Sequence, residues 1–203
     1  QIVAACPNAR VELFDTGDQS REDVLTRIKD HCWKGSTADY VIVCDVDELV
    51  YHTDLVGYLK SHRGVALFRP VGWEMVSQSF PTTAGQIYEE VTRGVPNRWM
   101  HKPCLFDPRR VTEMNYRPGC HNADAVYVGA LRRRDADLKL LHFKYLGADY
   151  VVERYRQLGE RLSDLNRDKG WGFHYLRPPE AVRKRHQEFW ERSVQVVAPA
   201  AHG

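Results

Sequence analysis

Asp45, Asp47 and Glu48 follow directly on a short apolar run in residues 40–49, YVIVCDVDEL, and their types and spacing suit the holding of a divalent cation. An unbroken β-branched run reads as a strand buried on both faces, and the acids fall where it would leave the sheet. In open α/β sheets ligands bind in the crevice outside the carboxyl ends of the strands. Asp-Val-Asp on an extended strand end puts two carboxylates on one side of the backbone, because side chains repeat every two residues. Two hard oxygen ligands so placed suit Mg2+ or Mn2+ held against a diphosphate. A solvated acidic turn after a core strand is the alternative reading.

Further along, His121 follows Pro118-Gly119-Cys120 in a turn and His142 sits in the strand-like LLHFKY. A histidine can complete an octahedral site begun by two aspartates, with phosphate oxygens supplying the remaining ligands. The alternative for His142 is a core histidine bonded to a neighbour. Lys144, Arg154 and Arg161 are candidates to face a diphosphate, or else solvent. Trp171, His174 and Tyr175 of GWGFHY, together with Trp73, are candidates for a wall against which an acceptor or sugar stacks, or for core packing. Arg132, Arg133 and Arg134 form either a solvated turn or a contact for an anionic polymer such as DNA.

These residues need a scaffold. With 203 residues, 43% of them hydrophobic, the chain can bury one substantial core, so a single domain over residues 1–203 is expected. Twenty-nine basic against 27 acidic residues give a formal charge of +2, too small an excess to imply nucleic acid by itself. No apolar run approaches the roughly eighteen residues that cross a bilayer, nothing resembles a signal peptide, and no CxxC pair occurs among the five cysteines. A cytoplasmic protein with reduced thiols and no zinc site is the expectation, with Cys32 and Cys44 inside core elements.

The pattern predicts a short strand over residues 11–14, then a helix over 21–33 begun by a capping box of Ser20 and Asp23, with Val24, Leu25, Ile28 and Cys32 on its apolar face. The strand leading to Asp45 follows. Thr53 or Asp54 caps a short helix through Leu55, Tyr58 and Leu59. A strand over residues 65–68 stops at Pro70. Residues 71–103 are weakly periodic and rich in aromatics, Gly and Pro, as in a binding loop or lid. Strands are predicted at 104–106, 111–115, 125–128 and 138–143, and helices over 148–195, with Val151, Tyr155, Leu158, Leu162 and Leu165 on one stripe and Val182, His186, Phe189 and Trp190 on the next. The expected fold is α/β with a mixed sheet flanked by helices.

The stretch CWKGSTADYVIVCDVDELVYH, followed by PGCH, LLHFKYLG, RLSDLN and GWGFHY, resembles a bacterial and phage-encoded branch of the family 2-like glycosyltransferases with a GT-A fold, from about residue 20 to 175. The resemblance implies transfer of a sugar from a nucleotide-diphosphate donor, most readily a UDP-sugar, to an acceptor hydroxyl on a glycan, lipid-linked or polymeric acceptor. It implies that Asp45 and Asp47 bind metal and donor diphosphate, and that His142 or His121 adds a ligand. It places the first nucleotide-binding strand before Gln1. Inverting transfer, usual in such families, needs a carboxylate base. Glu48, Glu74, Glu89 and Glu90 are candidates, with Glu74 preferred as part of the aromatic loop and Glu48 assigned a supporting role beside the metal motif. Two other readings of the chain stay open: a haloacid-dehalogenase-like phosphatase with Asp45 as nucleophile, and a non-catalytic glycan or nucleic-acid binding module.

Overall fold

The computed structural model of the protein describes residues 6 and 8–198. It is an α/β domain built on one mixed sheet of seven strands, with a separate two-stranded ribbon. The centre of the sheet is a parallel pair of long strands, β3 (Val65–Ser77) and β8 (Ala130–Leu146). On the outer side of β8 lies β2 (Glu48–Tyr51), antiparallel. The other side of β3 is shared: its first half pairs β5 (Leu105–Phe106), which carries β1 (Val41–Ile42), and its second half pairs β4 (Arg93–Pro96), which carries β9 (Val194–Gln195). The ribbon is β6 (Val111–Glu113) with β7 (Val126–Tyr127).

Period-two alternation sets what each face does. On β8, Leu138 and Leu140 are fully buried in one cluster with Val50, Phe68 and Leu105, while Leu141 and Phe143 pack on the opposite face with Met75. Carrying the first face forward along the strand brings His142 and then Lys144 to the end of that apolar layer. Register fixes their neighbours, since Glu48 and Glu74 both stand opposite His142 on the flanking strands.

Among the described residues, six α-helices surround this sheet. They are α1 (Glu22–His31), α2 (Leu55–Ser61), α3 (Ile87–Glu90), α4 (Ala148–Glu160), α5 (Asp164–Asp168) and α6 (Pro179–Arg192). Helix α2 starts as expected, with the Asp54 carboxylate accepting from the Gly57 N–H at 2.9 Å. The stripes of α4 and α6 bury Val151, Tyr155, Val182 and Phe189 against Val76, Val95 and Tyr145.

Several local expectations fail for identifiable reasons. Residues 11–14 form no strand: Val11, Leu13 and Phe14 are exposed, with no strand beside them. The capping box at Ser20 does not form, because the Ser20 backbone is bridged to Leu162 and Arg21 becomes the cap residue; the Glu22 N–H is met by the buried Asn166 side chain at 3.2 Å. The apolar face of α1 is rotated, so that Leu25 and Cys32 are exposed while Lys29 and Trp33 are buried. Strand β1 is only two residues long and is not buried on both faces, since Ile42 is 45% exposed. Asp-Val-Asp lies in a turn closed by the Glu48 N–H on the Asp45 carbonyl at 3.0 Å, not on an extended strand. Pro70 does not end its strand: it sits where the β3–β8 register shifts, the irregularity at which a missing N–H is tolerated. Residues 71–103 are accordingly no lid, but the second half of β3, α3, β4 and a 3-10 turn at Arg98–Met100.

That turn lies flat on β3 because Gly72 has no side chain: a Cβ there would overlap the Met100 main chain. Gly72→Ala is expected to cost about 1–3 kcal/mol in urea unfolding by overpacking, a larger loss than an alanine on an exposed strand position gives. Unchanged stability would mean that the turn is free to move away.

Candidate active site

The side chains that converge at the end of the β3–β8 pair are mostly charged. Asp45 receives Lys29 Nζ from α1 at 2.6 Å and Lys102 Nζ at 3.2 Å, one lysine on each carboxylate oxygen. Lys102 also pairs with Glu48, whose side chain is fully buried and accepts from the Asp45 N–H at 3.2 Å. Burial favours the neutral Asp45 carboxyl, but Lys102 and Lys29 outweigh it and bring the group down to about 2. Burial likewise opposes charge on Lys102, and Glu48 and Asp45 more than restore it. Val46, between the two aspartates, points entirely into solvent.

Asp47 has different partners. Its main chain is pinned to β8 by the Phe143 N–H at 2.8 Å, and its Oδ2 lies 3.7 Å from His142 Nε2 and 3.4 Å from Arg154 Nη2 of α4. His142 Nδ1 is 2.8 Å from Glu74 Oε2, an ion-pair contact without hydrogen-bond geometry, and neither atom has a hydrogen-bond partner among the described residues. Glu74 Oε1 accepts from Asn97 at 2.9 Å, and the other end of Asn97 caps the Trp99 N–H at 3.0 Å. Burial opposes a charged His142, but Glu74 and Asp47 raise it to about 9.

Lys144 stands one strand repeat beyond His142, 3.2 Å from His174 Nε2 and over the rings of Tyr155 and Tyr175 at 5.3 and 5.5 Å. Burial lowers the Lys144 ammonium; burial and then Lys144 hold His174 down at about 4, so this imidazole is neutral at pH 7. His121 is also held at about 4, by burial and Lys102, and its Nδ1 lies 2.6 Å from the Trp99 carbonyl.

The residues singled out by sequence therefore divide. The structure brings Asp45, Asp47, Glu48, Glu74, His142, Lys144 and His174 together. Glu74 belongs to β3 and is buried, not exposed in a loop. Arg161 is elsewhere: it follows α4 and binds Asp18, with Nη2 at 2.9 Å from the carboxylate. Trp73 packs on the opposite face with Met75 and Leu141, because adjacent residues of an extended strand point opposite ways. Trp171 lies half-buried in a turn, its N–H on the Asn166 carbonyl. The side chains of Arg133 and Arg134 lie outside the described residues. Sequence reasoning missed Lys29, Lys102 and Asn97. Only Lys29 left a trace, as a cation one turn beyond Leu25 on a helix aimed at the acidic strand end.

Among the described residues no group of three or more His, Cys, Asp and Glu side chains is arranged around one point as metal ligands. The donor set still fits a cation in part. His142 offers Nε2 toward Asp47 while its other nitrogen faces a buried carboxylate, the arrangement that orients a ligating imidazole. Asp45, with a lysine on each oxygen, is a support for that pair, and His121 is bound to Trp99. A cavity of about 840 Å3 lies elsewhere, around Tyr40, Leu59 and Arg110, so convergent charge, not volume, marks this site.

The fold and site thus define an α/β mixed-sheet domain with a buried acid–base network at one end of its central strand pair. No protein-family model matches the chain, and no curated protein matches it. Among the described residues no helix is long and apolar enough to cross a membrane.

Two outcomes test the network. Lys102→Met leaves the Glu48 carboxylate buried without its cation and should cost about 3–5 kcal/mol in denaturant unfolding. The imidazole of His142, followed by NMR in metal-free protein, should titrate near pH 9 and fall toward its ordinary value in Glu74→Gln. Because its folded value lies above the unfolded one, its charge stabilises the fold fully below about pH 6.5, and that contribution fades as pH rises through about 9. A His142 midpoint at or below 6.5 in the unmodified chain would show that Glu74 and Asp47 do not act on it.

Proposed function

We propose that this chain is a metal-dependent glycosyltransferase of the GT-A type, moving a sugar from a nucleotide-diphosphate donor to an acceptor hydroxyl. The observation that carries this reading is the pairing of Asp47 with His142 Nε2 beside an Asp45 locked on two lysines, at the end of the sheet where β1 gives out. A divalent cation, Mn2+ or Mg2+, would be held by Asp47 and His142 and would act as a Lewis acid toward the charge growing on the leaving diphosphate.

The chain's own groups do the remaining work. Glu74 faces His142 from behind and fixes which nitrogen points forward, so its task is orientation; with Asn97 on its other oxygen it is buried behind the imidazole and not open to an acceptor. Lys144 and Arg154 flank Asp47 and supply cations for phosphate oxygens. Glu48 and Lys102 hold the turn that carries both aspartates, so the charged groups are in place before substrate arrives. A lysine on each oxygen of Asp45 draws charge from that carboxylate and makes it a weaker nucleophile, which disfavours a phosphatase that attacks through it.

Incubation with Mn2+ and a panel of UDP-, GDP- and TDP-sugars should give slow donor hydrolysis with at least one of them. Asp47→Asn and His142→Ala should each lower that rate by about 100-fold, and Glu74→Gln by about tenfold, through lost metal affinity. Metal-dependent donor binding that survives both Asp45→Asn and Asp47→Asn would sink the proposal, and phosphate release from small phosphomonoesters would redirect it.

A further inference from the structure

The cavity of about 840 Å3 sits at the opposite end of the sheet from the acids. Strands β1 and β5 run antiparallel, with Val41 opposite Phe106, so the residues before β1 and after β5 share one end while Asp45 and Lys102 share the other. The walls are of two kinds. Tyr40, Val56, Leu59 and Val128 are apolar, and Lys60, Arg63, Arg109 and Arg110 bring four cations.

Only two carboxylates oppose those cations. Asp107, almost wholly buried, takes Arg109 Nε at 2.9 Å and Arg110 Nε at 3.4 Å. Asp39 takes Arg109 Nη1 at 2.9 Å. Lys60 and Arg63 have no ion-pair partner among the described residues, which leaves the lining an excess of two positive charges. The guanidinium of Arg109 is held by carboxylates on both sides, and the Asp107 side chain also accepts the Arg109 N–H at 2.9 Å, so this part of the site is ordered in advance. Like charges gathered in a concave, partly apolar space repel one another unless an anion joins them.

We propose that this cavity binds a phosphate monoester carried on an apolar or aromatic group, the phosphate meeting Lys60, Arg63 and Arg110 and the organic part resting on Tyr40 and Leu59. A monoester carries nearly two negative charges at neutral pH and matches the excess, and the volume is that of a small-molecule site. The site is separate from the acidic network and stands whether or not the transferase reading holds.

Calorimetric titration of the full chain with phenyl phosphate and with inorganic phosphate tests this. One saturable site is expected, with phenyl phosphate the tighter of the two by about threefold or more because of its ring. Lys60→Ala/Arg63→Ala should weaken both by about tenfold or more at an unchanged melting temperature, since the two side chains are exposed. Asp45→Asn/Asp47→Asn should bind both as the unmodified chain does. Vesicles containing phosphatidic acid separate the sources of the ester: retention that phenyl phosphate competes away assigns a lipid monoester, and phenyl phosphate binding without retention assigns a soluble one. No saturable binding, equal affinity for the two anions, or binding indifferent to Lys60→Ala/Arg63→Ala would overturn the proposal.

Discussion

A carboxylate taken out of water without a cation beside it costs several kcal/mol, and this fold places Asp45, Asp47, Glu48 and Glu74 together at one end of its central strands. Everything around that point answers the cost. Lys29 reaches in from α1, Lys102 from the segment after the 3-10 turn, His142 from β8 and Arg154 from α4. Each cation comes from a different element, so the charge balance closes only when all of them are docked. The network is thus a tertiary constraint.

The same balance separates two aspartates that look equivalent in sequence. Asp45 is tied down, with a lysine on each oxygen and its N–H on Glu48. Asp47 faces one imidazole and one half-exposed guanidinium at longer range. Charged partners at 2.6 and 3.2 Å hold a group in place, whereas neighbours at 3.7 and 3.4 Å leave room for a further ligand. One Asp-Val-Asp turn thus produces an acid tied to two lysines and an acid with looser neighbours.

How far this could be read from sequence follows from which signals are local. The apolar run marked where the acids gather, though as a strand end and not as the observed turn; the stripes of α4 and α6 are periodic, and periodicity located those helices. Lys29 and Lys102 escaped because lysine is the residue least often buried, and nothing within a few positions announces its distant partner. Residues 71–103 read as a loop because Pro70 and Gly72 are breakers in isolation; within the sheet one sits at a register shift and the other admits the Met100 main chain. Trp73 and Arg161 were drawn toward the site by residue type alone. Strand alternation sends the first to the far face, and Asp18 takes the second.

Register is where packing and charge act together. A strand that slips by one residue sends every side chain to the opposite face. On β8 such a slip would carry His142 and Lys144 into the layer of Met75 and Val91, and would set Phe143 among Glu48, Glu74 and Asp47. An apolar mismatch alone is partly forgiving, since cores repack around similar volumes. Two carboxylates, Asp47 and Glu74, that lose their imidazole cannot be repacked, because no rearrangement of apolar side chains supplies a proton donor. The long parallel pair β3–β8 already carries irregular register near Pro70. The contact of Glu74 with His142 comes just beyond that irregularity, and there it favours one register among those that burial alone would allow.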